Sequence, residues 1–135
     1  MAEYSVVRVK DVPDQAENLG HDPEQFEVRF MRNDLGCEHC GVSYIRFSPG
    51  FTPAGHRHKR QEEIYVLVSG RAEANVGDEL VELEPWMALR VPPETPRALR
   101  AVGTEDAVVI AVGAPNTGPG DGLPPPDDFD KGWND

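Results

Sequence analysis

Residues 50–70, GFTPAGHRHKRQEEIYVLVSG, read as a strand, a sharp turn and a returning strand, with metal-type ligands placed where the two strands meet. In an extended strand, side chains two apart share a face, so His56 and His58 converge while Arg57 points the other way. Glu63 opens the next apolar run and arrives opposite the histidines if the strands pair. Two imidazoles and one carboxylate, left open on one side, are the donor set of a divalent-metal site. The returning strand also divides its faces. Glu63, Tyr65 and Leu67 fall on one side, and Ile64, Val66 and Val68 on the other. An apolar second face needs cover, from the N-terminal segments or from another copy of the chain. A homodimer packed through such outer strand faces is therefore expected.

Working outward, apolar residues recur mostly with period two, in short segments bounded by Gly, Pro, Asn or Asp, which is the all-β pattern. Strands are expected over 4–9, 26–31, 42–47, 54–58, 63–68, 72–76, 80–83, 87–91, 97–102 and 107–112. So many short strands at this spacing imply a β-sandwich or a jelly-roll barrel. Little helix is expected, and 11–22 holds one turn at most. From Ala114 the sequence APNTGPGDGLPPPDDFDKGWND is rich in Pro, Gly and Asp, and this tail should lack regular structure. Phe129 and Trp133 either pin it to the barrel or a partner subunit, or belong to a frayed end.

A chain of 135 residues is one ordinary domain. Residues 1–113 are read as that domain and 114–135 as an extended tail. Lys and Arg total 13 against 24 Asp and Glu, and the net charge of −11 repels phosphate backbones and anionic lipid. Nucleic acid and membrane are thus poor partners. No apolar run approaches the ~20 residues that span a bilayer, and MAEYSVVRVK lacks the apolar centre of a signal peptide. A cytoplasmic location is expected. The two cysteines, Cys37 and Cys40, flank Glu38 and His39 and are too few for a disulfide framework. They read as a surface turn with two thiols, with redox or metal activity as the alternative. The glycines at 113, 118, 120 and 122 are too irregular for a phosphate-binding loop.

The quoted stretch resembles the first motif of the cupin superfamily: Gly, five residues, His-x-His, three or four residues, Glu, six residues, Gly. Gly50, His56, His58, Glu63 and Gly70 fill every position with the four-residue option. The resemblance covers about 42–112 as the barrel core, with N-terminal strands from 4–31 packing on it. It implies an all-β, double-stranded β-helix (jelly-roll) fold. The second motif departs from the family. Aligned on Pro92, its positions hold Trp86, Pro92, Glu94, Arg97 and Ala101, so only the proline is kept. Arg97 stands where metal-dependent cupins place a histidine ligand. A guanidinium offers only donors and cannot bind a cation. Either Arg97 turns to Glu63, Glu94 or Glu62, or it stays and positions an anionic ligand.

The resemblance implies a pocket with His56, His58 and Glu63 as ligands of a divalent transition metal, Fe, Mn, Ni, Cu or Zn, and no organic cofactor. Arg97, Tyr65 and Arg60 are the expected substrate contacts, because a cationic mouth attracts a carboxylate or phosphate. Two functions stay open. One is a metal-dependent enzyme acting on a small anionic organic molecule. The other is a non-catalytic, metal-free binding module, in which the same residues form a polar cluster. Tyr44, Phe47, Tyr65, Trp86, Met87 and Leu99 are expected to line the barrel.

Overall fold

Period-two alternation builds ten strands in the computed structural model, which describes residues 3–117 and 120–129. In chain order they are β1 (Phe26–Phe30), β2 (Gly41–Phe47), β3 (Arg57–His58), β4 (Glu62–Ser69), β5 (Ala72–Val76), β6 (Glu79–Leu83), β7 (Ala88–Val91), β8 (Arg97–Ala101), β9 (Ala107–Ala114) and β10 (Gly122–Leu123). They pair antiparallel as a five-stranded sheet, β1-β2-β9-β4-β7, a three-stranded sheet, β6-β5-β8, and a two-stranded ribbon, β10-β3.

Register turns alternation into a core. Tyr65 and Leu67 of β4 pair with Ala111 and Val109 of β9, so all four point inward. They pack in one cluster with Ala72 and Ala74 of β5, Leu83 of β6 and Leu99 of β8. Each fully buried large side chain here, such as Leu67 or Val109, contributes about 1.5–3 kcal/mol. The turn after β4 must pass close to β9. Gly70 makes this passage at φ 76°, and a Cβ there would lie 2.1 Å from the Asp106 carbonyl oxygen. Only glycine meets both demands.

The structure departs from the sequence reading at identifiable places. Residues 4–9 form no strand, and a 3-10 turn, Val9–Asp11, ends them. The reason is that the free edge of β1 is already occupied. Gln15 donates its N–H to the Val28 carbonyl, and Asp14 accepts the Val28 N–H. The expected strand over 54–58 shrinks to β3, because Gly55 at φ 91° breaks the extended run; His56 keeps only an isolated bridge to Arg97. A one-turn helix, α1 (Arg32–Leu35), follows β1 where no helix is expected; Gly36, left-handed at φ 70°, ends it. Among the described residues of the tail beyond β9, only β10 is regular.

Of the expected lining residues, Phe47, Tyr65 and Leu99 are buried, but Trp86 and Met87 are exposed. Pro85 opens a tight turn in which Trp86 takes φ 71°, and its ring goes to solvent. Tyr44 faces outward beneath the Lys10 ammonium, 5.0 Å from the ring centre. On that outer face Glu27 gathers Lys10, Arg29 and Arg46. Burial raises its pKa, but the hydrogen bonds from these cations outweigh that and hold it at about 2. Among the described residues, no helix is long and apolar enough to cross a membrane.

Candidate metal centre

Strand pairing delivers the three candidate ligands from two directions. β4 brings Glu63 inward, opposite Gly113 of β9 and Val91 of β7. The other two come from the segment leading into and forming β3, which is held to the start of β8: His56 and Arg97 exchange both backbone hydrogen bonds, at 3.0 and 2.9 Å. His58 donates its N–H to the Pro93 carbonyl at 2.8 Å. The two imidazoles meet edge to face, 5.0 Å apart and 87° between planes.

One oxygen is the focus of the cluster. His56 Nε2 and His58 Nε2 lie 3.2 and 2.9 Å from Glu63 Oε1. The Tyr65 hydroxyl donates to the same atom, and Arg97 Nη1 donates to it at 2.9 Å. Burial raises the Glu63 pKa, yet the hydrogen bonds with His56, His58 and Tyr65 overcome it and hold the carboxyl well below the usual carboxylate range. Tyr65 moves the opposite way. Burial, then the Glu63 charge, pushes its pKa far up, so it stays a protonated donor. For His58 burial lowers the pKa, but Glu63 and Asp121 reverse this and the net shift is upward.

Arg97 is fully buried in the wall of the site, where both Nη atoms are hydrogen-bonded and Nε has no partner among the described residues. Its Nη2 donates to the Pro92 and Pro93 carbonyls at 2.7 and 3.3 Å, and Nη1 goes to Glu63. Of the alternatives read from sequence, the structure adopts the turn toward Glu63. The guanidinium does not line the cavity in front of the histidines. Arg60 is exposed and offers its backbone N–H, not its side chain, to the site. Tyr65 does line the cavity.

The ligand atoms of His56, His58 and Glu63 all lie within 4.8 Å of one another. Donors about 2.1 Å from one cation and at right angles to each other stand about 3 Å apart, which is the spacing seen between each Nε2 and Oε1. The donor chemistry therefore fits a divalent first-row metal with three protein ligands. Arg97 on the ligating oxygen weakens that fit without abolishing it, since ligating carboxylates normally accept further hydrogen bonds.

A cavity of about 760 Å³ opens in front of the cluster. Phe26, Val28, Phe30 and Ile45 make one apolar wall, and His56, His58, Gln61 and Glu63 form the polar end. Arg32 of α1 and Gly120, Gly122 and Leu123 of the tail complete the rim. Two contributors escaped the sequence reading. Gln61 fits because Gly113 has no side chain; a Cβ there would lie 2.5 Å from the Gln61 amide carbon. Asp121 reaches His58 Nδ1 at 2.8 Å from the tail, where composition points only to coil. Phe129 packs against Gly55, within 2.9 Å of where a Cβ would stand, and so pins the tail to the barrel. Trp133 lies outside the described residues. Cys37 and Cys40 are free thiols in the turn after α1. Burial and the neighbouring Cys40 raise the Cys37 pKa, away from a reactive thiolate.

Fold and site together define a small double-stranded β-helix protein with a histidine-histidine-glutamate pocket. The chain belongs to the cupin-domain family, whose sequence model matches residues 43–113. Among solved structures it is similar to a cupin protein from Bacteroides fragilis, at 21% identity and TM-score 0.69 over 87% of this chain and 88% of that one. A Klebsiella pneumoniae protein with a double-stranded β-helix domain is similar at 17% identity and TM-score 0.71, over 91% and 93%. A Bacillus subtilis oxalate decarboxylase aligns at 14% identity and TM-score 0.73 over 87% of this chain and 31% of its own. At these identities the likeness is one of fold. No curated protein matches the sequence.

Proposed function

We propose that the pocket holds a divalent transition metal on His56, His58 and Glu63 together with a small anionic organic molecule, and acts as a metal-dependent enzyme. The observation that carries this is the convergence of both Nε2 atoms on one carboxylate oxygen, at 3.2 and 2.9 Å. When bound, such a metal would supply Lewis acidity or activate oxygen. The residues do the rest. Tyr65 and Arg97 fix Glu63, Asp121 holds His58, and His56, the more exposed histidine, faces the cavity.

Charge counting supports an anionic partner. Glu63 and Asp121 bring two negative charges and Arg97 one positive; with His58 protonated the cluster is neutral without metal. Exchanging the His58 proton for a dication leaves one net positive charge in a mostly enclosed site. A monoanion cancels it. Opposite unit charges 4 Å apart attract by about 4 kcal/mol at an effective dielectric of 20. The apolar wall of Phe26, Val28, Phe30 and Ile45 favours an anion with a hydrocarbon body. That an oxalate decarboxylase shares the fold agrees with carboxylate chemistry on this scaffold.

Titrating Zn²⁺ or Mn²⁺ into tag-free protein by calorimetry, with and without hexanoate, tests the reading. The expected result is stoichiometric binding that hexanoate tightens at least tenfold, and that His58→Ala abolishes. Equal heats from wild type and His58→Ala would rule it out. The same neutrality without metal favours the second reading, a metal-free binder of small acids; hexanoate binding unchanged by metal would select it.

The homodimer belongs to this proposal as well. On the outer face of the five-stranded sheet, Val42 and Ile64 flank Val112, and Val66 lies beside Ile110. All five are partly exposed, Ile64 the most. Among the described residues, the N-terminal segment reaches the β1 side of this sheet through Lys10, on Glu27 and over the Tyr44 ring. Light scattering at micromolar concentration is expected to give about twice the chain mass of 14.9 kDa. A particle of monomer mass would refute the pairing.

A further inference from the structure

β10 runs beside β3 with Gly122 opposite His58, and Lys59 donates its N–H to the Asp121 carbonyl at 3.3 Å. Arg57 Nε donates to the Pro124 carbonyl at 3.3 Å. This strapping places the Asp121 carboxylate, itself almost entirely buried, against the back of the His58 ring. Its two oxygens have different partners. Oδ2 accepts the backbone N–H groups of Arg60 and Gln61, and Oδ1 lies 2.8 Å from His58 Nδ1.

We propose that Asp121 is the positioning residue of the site: it fixes the proton of His58 on Nδ1 and thereby keeps the Nε2 lone pair facing the Glu63 side, where a cation is received. This rests on the metal reading above but stands on its own geometry. Both carboxylates at the ring are acceptors, and a neutral His58 has one proton for the two; Glu63 Oε1 already takes the Tyr65 hydroxyl and the Arg97 cation, whereas among the described residues Asp121 Oδ1 has His58 alone, so the proton sits on Nδ1. A neutral His58 then has its lone pair on Nε2 and no proton between Nε2 and Glu63 Oε1, 2.9 Å apart. The C-terminal segment is on this view part of the site and not an appendage.

Asp121→Asn inverts the arrangement with no change of size. Two backbone N–H groups still demand an acceptor, so the amide oxygen takes the place of Oδ2. The amide NH₂ must then face His58 Nδ1 and make it an acceptor. The ring proton moves to Nε2, where a cation would have to displace it.

The experiment is a long-range ¹H–¹⁵N correlation spectrum of metal-free, full-length protein, at a pH high enough for the His58 ring to be neutral. A Zn²⁺ titration by calorimetry runs beside it. Wild type is expected to show the Nδ1–H tautomer, Asp121→Asn the Nε2–H tautomer, and Asp121→Ala a mixture. Zn²⁺ affinity is expected to fall by roughly 10–100-fold in Asp121→Asn. An Nδ1–H tautomer retained in folded Asp121→Asn overturns the proposal, whatever the affinity. If wild type binds no Zn²⁺, the metal reading fails while the tautomer spectra still decide the role of Asp121.

Discussion

Arg97→Met is expected to destabilise the metal-free protein by about 3 kcal/mol, near the lower end of what breaking a buried ion pair costs. Arg97 has no exposed surface, and it joins β8 to Glu63 of β4 and to the Pro92 and Pro93 carbonyls after β7. Methionine fills most of the volume but leaves a buried carboxylate with one cation fewer and two carbonyls without that donor. The loss stays near the lower bound because Glu63 keeps Tyr65 and both histidines. Domains of this size are stable by about 5–15 kcal/mol, so the change is a large fraction of the whole. Urea denaturation followed by tryptophan fluorescence and circular dichroism measures it, with the m-value unchanged. The double variant Arg97→Met with Glu63→Leu should recover much of the loss, since an apolar pair escapes the desolvation cost that the ion pair carries. A loss below about 1 kcal/mol in the single variant would mean that the guanidinium does not support the carboxylate.

The ease of reading differed with the range of the interaction. β5 is read to the residue as 72–76, because strand alternation ends at a local Gly77–Asp78 turn. The convergence of His56 and His58 followed from a two-residue period. Glu63 followed from the return of the next strand. The failures lie where the outcome depends on distant chain. Residues 4–9 alternate well enough for a strand, but Asp14 and Gln15 hold the edge they would need. Asp121 meets a histidine 63 positions earlier from a Pro/Gly/Asp-rich segment, and no local pattern marks it. Its one sequence signal is an acid beside a glycine, which reads as a turn. Arg97 was intermediate. Its alignment position was visible, but only three-dimensional packing shows that it turns to Glu63 and away from the cavity.

Arg97→His is expected to tighten Zn²⁺ binding by on the order of 100-fold or more, despite lowering the stability of the metal-free protein. Two effects add. The substitution removes a fixed positive charge whose Nη1 lies 2.9 Å from Glu63 Oε1. It also introduces a neutral imidazole at the position where the family's second motif supplies a ligand, raising the protein donors from three toward the four that zinc prefers. Arg97→Met separates the effects, because it removes the charge without adding a donor; its gain should be smaller. Calorimetric titrations of wild type and both variants, with folding checked by circular dichroism, give the comparison. The anion effect should reverse in step. With the arginine gone, Glu63, Asp121 and a dication already sum to zero, so hexanoate no longer has a net positive charge to cancel and its tenfold enhancement should largely vanish. Wild-type Zn²⁺ affinity in a folded Arg97→His variant would show that this position is not within reach of the metal. It would leave Arg97 as a scaffold for Glu63 alone.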